Sequence, residues 1–220
     1  SRGLGDVYKR QIMHTVLQRF HKLGGELKKT RILDLLDQEW RKDDFDYEVR
    51  EMKFKEQGIK ILSQYVKYVL SNPPKVLERE MSFSFDIKDV TIKGSIDRID
   101  EDRNGVKIID YKTSKIASSA KSSLQLAVYC LYLLQSTNEK IKGFPNKAVL
   151  HFLRDEENPI KEHSFNISEL KSVEKVIEKT AKSIRAQEFS PKTTDIESKH
   201  RIDESTLLTN ALLVEGIKTI

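Results

Sequence analysis

The chain has 220 residues, 38% hydrophobic and 33% charged, with a formal net charge of +5. That length suits one domain, or one domain plus appendages, with enough apolar material for a core beneath a heavily charged surface. The basic balance is compatible with a polyanionic partner but does not identify one.

Residues 1–11 (Ser-Arg-Gly-Leu-Gly-Asp-Val-Tyr-Lys-Arg-Gln) do not read like the rest and are expected to be a non-native leader. The domain is expected over 12–191. Val16, Leu17 and Phe20 have helical spacing, so a helix is expected from Ile12 to Phe20. Ile32, Leu35, Leu36 and Trp40 predict a second helix over about Lys29–Arg41. Phe54, Ile61, Leu62, Tyr65, Val66 and Val69 predict a third over about Tyr47–Leu70. Asn72-Pro73-Pro74 ends it, because proline lacks an amide donor and restricts the residue before it.

The period then changes to two. Met81, Phe83 and Phe85 alternate with polar residues, as do Val90, Ile92, Gly94 and Ile96, and Val106–Lys112 forms a third strand. Asn104-Gly105 is a hairpin signal between the last two. A helix is expected over about Ser122–Gln135, and it contains the single cysteine, Cys130, in an apolar run too short to span a bilayer. Cys130 reads as a buried small hydrophobe. One cysteine excludes an intrachain disulfide, a four-cysteine zinc site and an iron–sulfur cluster built by this chain alone. Ala148–Arg154 and Lys161–Ile167 read as two more strands. Ser168 is the expected N-cap of a last helix, Glu169–Gln187, without a full capping box because Lys171 stands where Glu or Gln would be needed. Residues 192–220 are polar and then weakly apolar, and no structure is assigned to them. The element order predicts an α/β domain with a central mixed sheet flanked by helices and a helical N-terminal region. No membrane segment or signal peptide is evident, and a cytoplasmic setting is expected.

Asp110 and Lys112 are two apart on a strand and share a face, while Tyr111 points the opposite way. A turn at Asn104-Gly105 sets Asp97 opposite Lys112; a turn at Arg103-Asn104 sets Asp97 opposite Asp110. In either register the two carboxylates and the ammonium converge. Val106, Ile108, Ile109, Ile92 and Ile96 suggest strands buried on both faces, where a carboxylate needs a partner or a metal. A structural salt bridge and a Mg²⁺ site for hydrolysis both satisfy that need.

The run Gly94-Ser95-Ile96-Asp97-Arg98-Ile99-Asp100, then Asp110-Tyr111-Lys112-Thr113, then Gln125-Leu126-Ala127-Val128-Tyr129 resembles the RecB-type branch of the PD-(D/E)XK nuclease superfamily. It is closest to nuclease domains at the C-terminus of UvrD-like helicases and of helicase–nuclease complexes. The resemblance implies a restriction-endonuclease-like fold and Mg²⁺- or Mn²⁺-dependent hydrolysis of DNA. It further implies an exonuclease acting on single-stranded DNA in recombination or repair, with an attached or associated helicase. His14, Asp97, Asp110 and the Tyr111 backbone carbonyl would bind metal, and Asp97, Asp110 and Lys112 would be catalytic. Gln125 and Tyr129 would position the DNA strand or the lysine. Arg98 would contact phosphate or pair with Asp100, and Glu80 would be an accessory acidic residue. Many relatives continue into a cysteine-rich iron–sulfur segment, whereas no cysteine follows Glu188-Phe189-Ser190-Pro191. No Walker A loop is present. Two other functions are open: a catalytically inert, nuclease-like module that binds DNA or braces a helicase, and a site-specific restriction-type endonuclease, which would need an element reading base edges for which the sequence offers no insertion.

Overall fold

A computed structural model of the chain describes residues 4–22, 25–41, 47–103, 105–114, 118–141 and 145–187. The expectations for Asn104 and for 192–220 lie outside them. Helix α1 spans Leu4–Phe20, α2 Lys29–Glu39 and α3 Glu48–Ser71. Strands β1 (Lys75–Ile87), β2 (Val90–Asp102) and β3 (Gly105–Lys112) follow, then α4 (Leu124–Gln135), β4 (Pro145–Phe152), β5 (Ile160–His163) and α5 (Ile167–Arg185). Helix α1 begins inside the stretch set apart as a leader.

The helices form where apolar residues recur on one face. Ile32, Leu35 and Leu36 of α2 are buried, as are Ile61, Leu62, Tyr65, Val66 and Val69 of α3. Together with Met13, Val16, Leu17 and Phe20 of α1 they make one core layer against Ile109, Tyr111 and Val149 of the sheet. Helices α4 and α5 cover the other face, where Leu126, Cys130, Leu170 and Ile177 meet Ile96, Ile99, Ile108 and Leu150. A fully buried Leu or Phe in either layer contributes about 1.5–3 kcal/mol over leaving it in water.

The five strands lie in the order β1-β2-β3-β4-β5. Three neighbouring pairs are antiparallel and β3–β4 is parallel. A parallel neighbour requires a crossover, and α4 provides it. The sheet is therefore mixed and flanked by helices, with a helical N-terminal region, as in restriction-endonuclease-like folds.

Several boundaries differ from the sequence reading. Strand β1 begins at Lys75, well before the alternating phenylalanines, because Lys75 and Val76 pair with Glu101 and Asp100 of a long β2. Helix α5 is capped by Asn166, not Ser168, and Glu169 at its third position completes the capping box. Asn166 Oδ1 accepts the Glu169 amide at 2.9 Å, and Glu169 Oε2 accepts the Asn166 amide at 2.8 Å. The strand expected to run to Ile167 stops at His163, the last residue paired with β4. The hairpin pairs Asp102 with Gly105, the register that sets Asp97 toward Asp110.

Candidate active site

Strands β2 and β3 run side by side only from Asp102/Gly105 to Arg98/Ile109. Beyond that rung β2 continues against β1, and β3 continues against β4. The sheet forks there, and Asp97 and Asp110 are the first residues past the fork. The Tyr111 amide instead donates to Asp97 Oδ2 at 2.7 Å. A side chain thus closes the gap that the diverging backbones leave.

The β1–β2 ladder also skips a rung at the fork, where Glu80 would face Asp97. Glu80 has φ 44, in the left-handed region that non-glycine residues rarely occupy. Such backbone costs about 1–3 kcal/mol and persists only where its surroundings enforce it. Here it turns the Glu80 carboxylate toward α1. Ser95 Oγ donates to Glu80 Oε2 at 3.1 Å, while Oε1 lies 3.9 Å from His14 Nδ1. His14 Nδ1 is 3.2 Å from Asp97 Oδ1. The three donor atoms of His14, Glu80 and Asp97 lie within 4.8 Å of one another. Nε2 of His14 is buried without a hydrogen-bond partner.

One imidazole and two carboxylates suit a hard-to-borderline divalent ion such as Mg²⁺ or Mn²⁺. The fit is supported by how the carboxylates are tied: each has one oxygen held by a donor of the sheet and the other turned into the cluster. Burial disfavours the charged imidazole, yet the hydrogen bond and charge of Asp97, with Asp110 behind it, raise the His14 pKa above its ordinary value.

Asp110 is 2% exposed. Burial pushes its carboxyl up, and the Asp97 charge adds to this, against the pull of Lys112. Lys112 Nζ is 2.6 Å from Asp110 Oδ2 and donates to Gln125 Oε1 at 2.7 Å. Gln125 Nε2 in turn donates to the Tyr129 hydroxyl at 2.6 Å. Of the expected helix pair, Gln125 therefore meets the lysine, and Tyr129, one turn further along α4, meets Gln125. Gly94 contributes by what it lacks: a Cβ there would come 2.8 Å from the Phe83 ring. That ring lies edge-on to Tyr129 and stacks on Tyr132, so it braces the end of the chain from Lys112 to Tyr129.

The structure brings His14, Glu80, Asp97, Asp110, Lys112, Gln125 and Tyr129 to the fork, with the Tyr111 backbone between the carboxylates. Glu80, read as accessory, is a full partner in the donor cluster, whereas Asp110 faces Lys112 instead of joining the three closest donors. Arg98 is the departure. It is 4% exposed and directed away from Asp97, toward α3. Of its two expected roles the ion pair is formed: Nε lies 2.9 Å from Asp100 Oδ1, and Nη2 donates to Oδ2 at 3.0 Å. Held on these partners, the side chain is 5% exposed and leaves little of itself to offer a phosphate.

The sequence reading missed what surrounds Arg98. Its Nη1 donates to the hydroxyls of Tyr65 and Tyr111, each at 2.6 Å, and lies 3.0 Å from His21 Nε2. Burial and the nearby arginines hold the His21 pKa down to about 2, so this imidazole is neutral. Tyr65 was read only as an apolar position of α3. The available signal was a phenol on an otherwise aliphatic helix face, which needs a partner when buried. Cys130 is buried, and burial pushes its thiol up to about 12, as suits an inert core residue. No helix among the described residues is long and apolar enough to cross a membrane.

Comparison with known families gives a match over residues 11–195 to the model of the PD-(D/E)XK nuclease superfamily. No curated protein matches. Two solved structures are similar but superpose loosely. The protein SSO0001 is 16% identical, with 86% of this chain and 89% of that one covered and a TM-score of 0.39. A candidate exonuclease from Eubacterium rectale is 13% identical, with 95% and 96% covered and a TM-score of 0.41.

Proposed function

Since the chain belongs to the PD-(D/E)XK nuclease superfamily, we propose that it hydrolyses phosphodiester bonds of DNA with Mg²⁺ or Mn²⁺ at the β2–β3 fork. The observation that carries this reading is the fork itself. Two carboxylates, an imidazole, a strained glutamate and a lysine converge where the strands part.

His14, Glu80 and Asp97 would hold the ion, with Asp110 and the Tyr111 carbonyl completing its surroundings. When bound, such an ion supplies an activated water and neutralises charge developing on the phosphoryl group. Lys112 adds a second positive charge beside the reacting phosphate. Its two partners, Asp110 and Gln125, hold it in place, and Tyr129 holds Gln125. Gln125 and Tyr129 thus act on DNA through the lysine. Holding a catalytic group in place before substrate arrives removes an entropic cost from the reaction step.

The finer assignment rests on the sequence resemblance to the RecB-type branch. It is an exonuclease on single-stranded DNA, fed by an attached or associated helicase, in recombination or repair. End-labelled single strands and duplexes of the same sequence test it, with Mg²⁺ or Mn²⁺ added. Progressive shortening of the single strand and an intact duplex are expected. Cuts at internal positions of both would refute the exonuclease assignment. An inert DNA-binding module would retain DNA and shorten neither.

A further inference from the structure

The buried cluster around Arg98 holds more polar groups than an ion pair needs. Asp100 alone, at 2.9 and 3.0 Å, neutralises the guanidinium. Yet the remaining nitrogen, Nη1, is placed on the Tyr65 and Tyr111 hydroxyls, which also hydrogen-bond each other at 2.7 Å. These groups come from α3, β2 and β3, and all are buried.

Tyr111 is the residue that gives the arrangement a consequence. Its hydroxyl is fixed by Arg98 and Tyr65 on the α3 side of the sheet, while its amide holds Asp97 Oδ2 at 2.7 Å. Its chain neighbours are Asp110 and Lys112. Arg98 directly follows Asp97 and forms the last rung before the fork. Any shift of Tyr111 relative to Arg98 therefore changes the spacing of all three site residues at once. An apolar cluster of the same volume could be as stable; a buried polar network ties its members to one geometry, here through the Nη1 and Nη2 hydrogen bonds, while Nε and Asp100 Oδ1 meet as an ion pair.

We propose that Arg98 is a positioning residue: by gripping the Tyr111 hydroxyl together with Tyr65, it sets the fork at the width that lets His14, Glu80 and Asp97 share one divalent ion. This rests on the metal-site reading above. It assigns Arg98, Tyr65 and the Tyr111 hydroxyl a function without contact with ion or DNA.

The test is calorimetric titration of the full chain with MnCl₂, without DNA. Tyr111→Phe and Tyr65→Phe each remove one hydroxyl and leave the ring. Val149→Ala trims the same core layer without touching the network, and so controls for lost stability. Circular dichroism establishes that each variant is folded. Both phenylalanine variants are expected to bind Mn²⁺ roughly tenfold more weakly, as removal of groups that orient metal ligands does elsewhere, with Val149→Ala within about twofold of the parent. Wild-type affinity in both phenylalanine variants would overturn the positioning role and leave the metal site standing. Equal weakening by Val149→Ala would also overturn it, since destabilisation alone would then suffice. No Mn²⁺ binding by the unaltered chain would overturn the metal site and this inference together.

Discussion

Asp100→Ala is expected to be among the most destabilising single substitutions in the protein. Asp100 is 1% exposed and Arg98 4% exposed, so water reaches neither charge. The carboxylate meets Arg98 Nε at 2.9 Å and Nη2 at 3.0 Å, while Lys107, 4.0 Å away and partly exposed, is a weak third partner. Removing the carboxylate leaves a guanidinium buried with only neutral partners. Breaking a buried pair from one side costs about 3–5 kcal/mol, a large share of the roughly 5–15 kcal/mol by which domains are stable. Replacing both ends, Arg98→Met with Asp100→Leu, removes the unpaired charge and should recover about 2 kcal/mol or more of that loss. The recovery is incomplete because the Tyr65 and Tyr111 hydroxyls lose a donor. Urea unfolding followed by far-ultraviolet circular dichroism measures all three chains. A loss under about 1 kcal/mol for Asp100→Ala would mean that the guanidinium finds water or another anion, and would refute the buried-pair account.

Three further outcomes follow from the same contacts. Burial, and then the Arg98 charge, hold the His151 pKa down to about 3, against an ordinary 6.5. The unfolded chain therefore binds a proton below pH 6.5 that the folded chain refuses, so stability falls as pH drops from 6.5 toward 3. His151→Gln should flatten the pH dependence by about 1.4 kcal/mol per pH unit between pH 6 and pH 4.5 in urea titrations, and an unchanged slope would show that the folded protein admits the proton. Asn166→Ala removes the α5 cap and should cost about 1 kcal/mol, a fall of roughly 2–4 °C in the melting midpoint by calorimetry; no change would show that the capping box contributes nothing. Lys112→Met should slow DNA cleavage about a hundredfold or more while Mn²⁺ binding persists, and unimpaired cleavage would remove the lysine from the chemistry.

Much of this was legible in the sequence because it is periodic or local. Helical spacing found the buried faces of α2 and α3, and strand alternation put Asp110 and Lys112 on one face with Tyr111 on the other. The hairpin left two registers open, and both gave the convergence the structure shows. What was not legible depends on distant or irregular geometry. Glu80 reaches the donor cluster only because its backbone takes a left-handed turn at a skipped rung, and glutamate gives no local signal for that. Arg98 could be resolved only by knowing that Tyr65, 33 residues earlier, lies over it. The cap of α5 was misplaced by two residues because the choice between Asn166 and Ser168 depends on where β5 ends, which pairing with β4 decides.

The most direct test of the nuclease reading is cleavage of labelled single-stranded DNA in Mn²⁺ by the unaltered chain, Asp97→Ala and Asp110→Ala side by side, each established as folded beforehand. The fork account predicts metal-dependent cleavage by the unaltered chain and its loss in both variants, because one removes a cluster donor and the other the partner of Lys112. Cleavage that persists in either variant, or that needs no divalent ion, would contradict it.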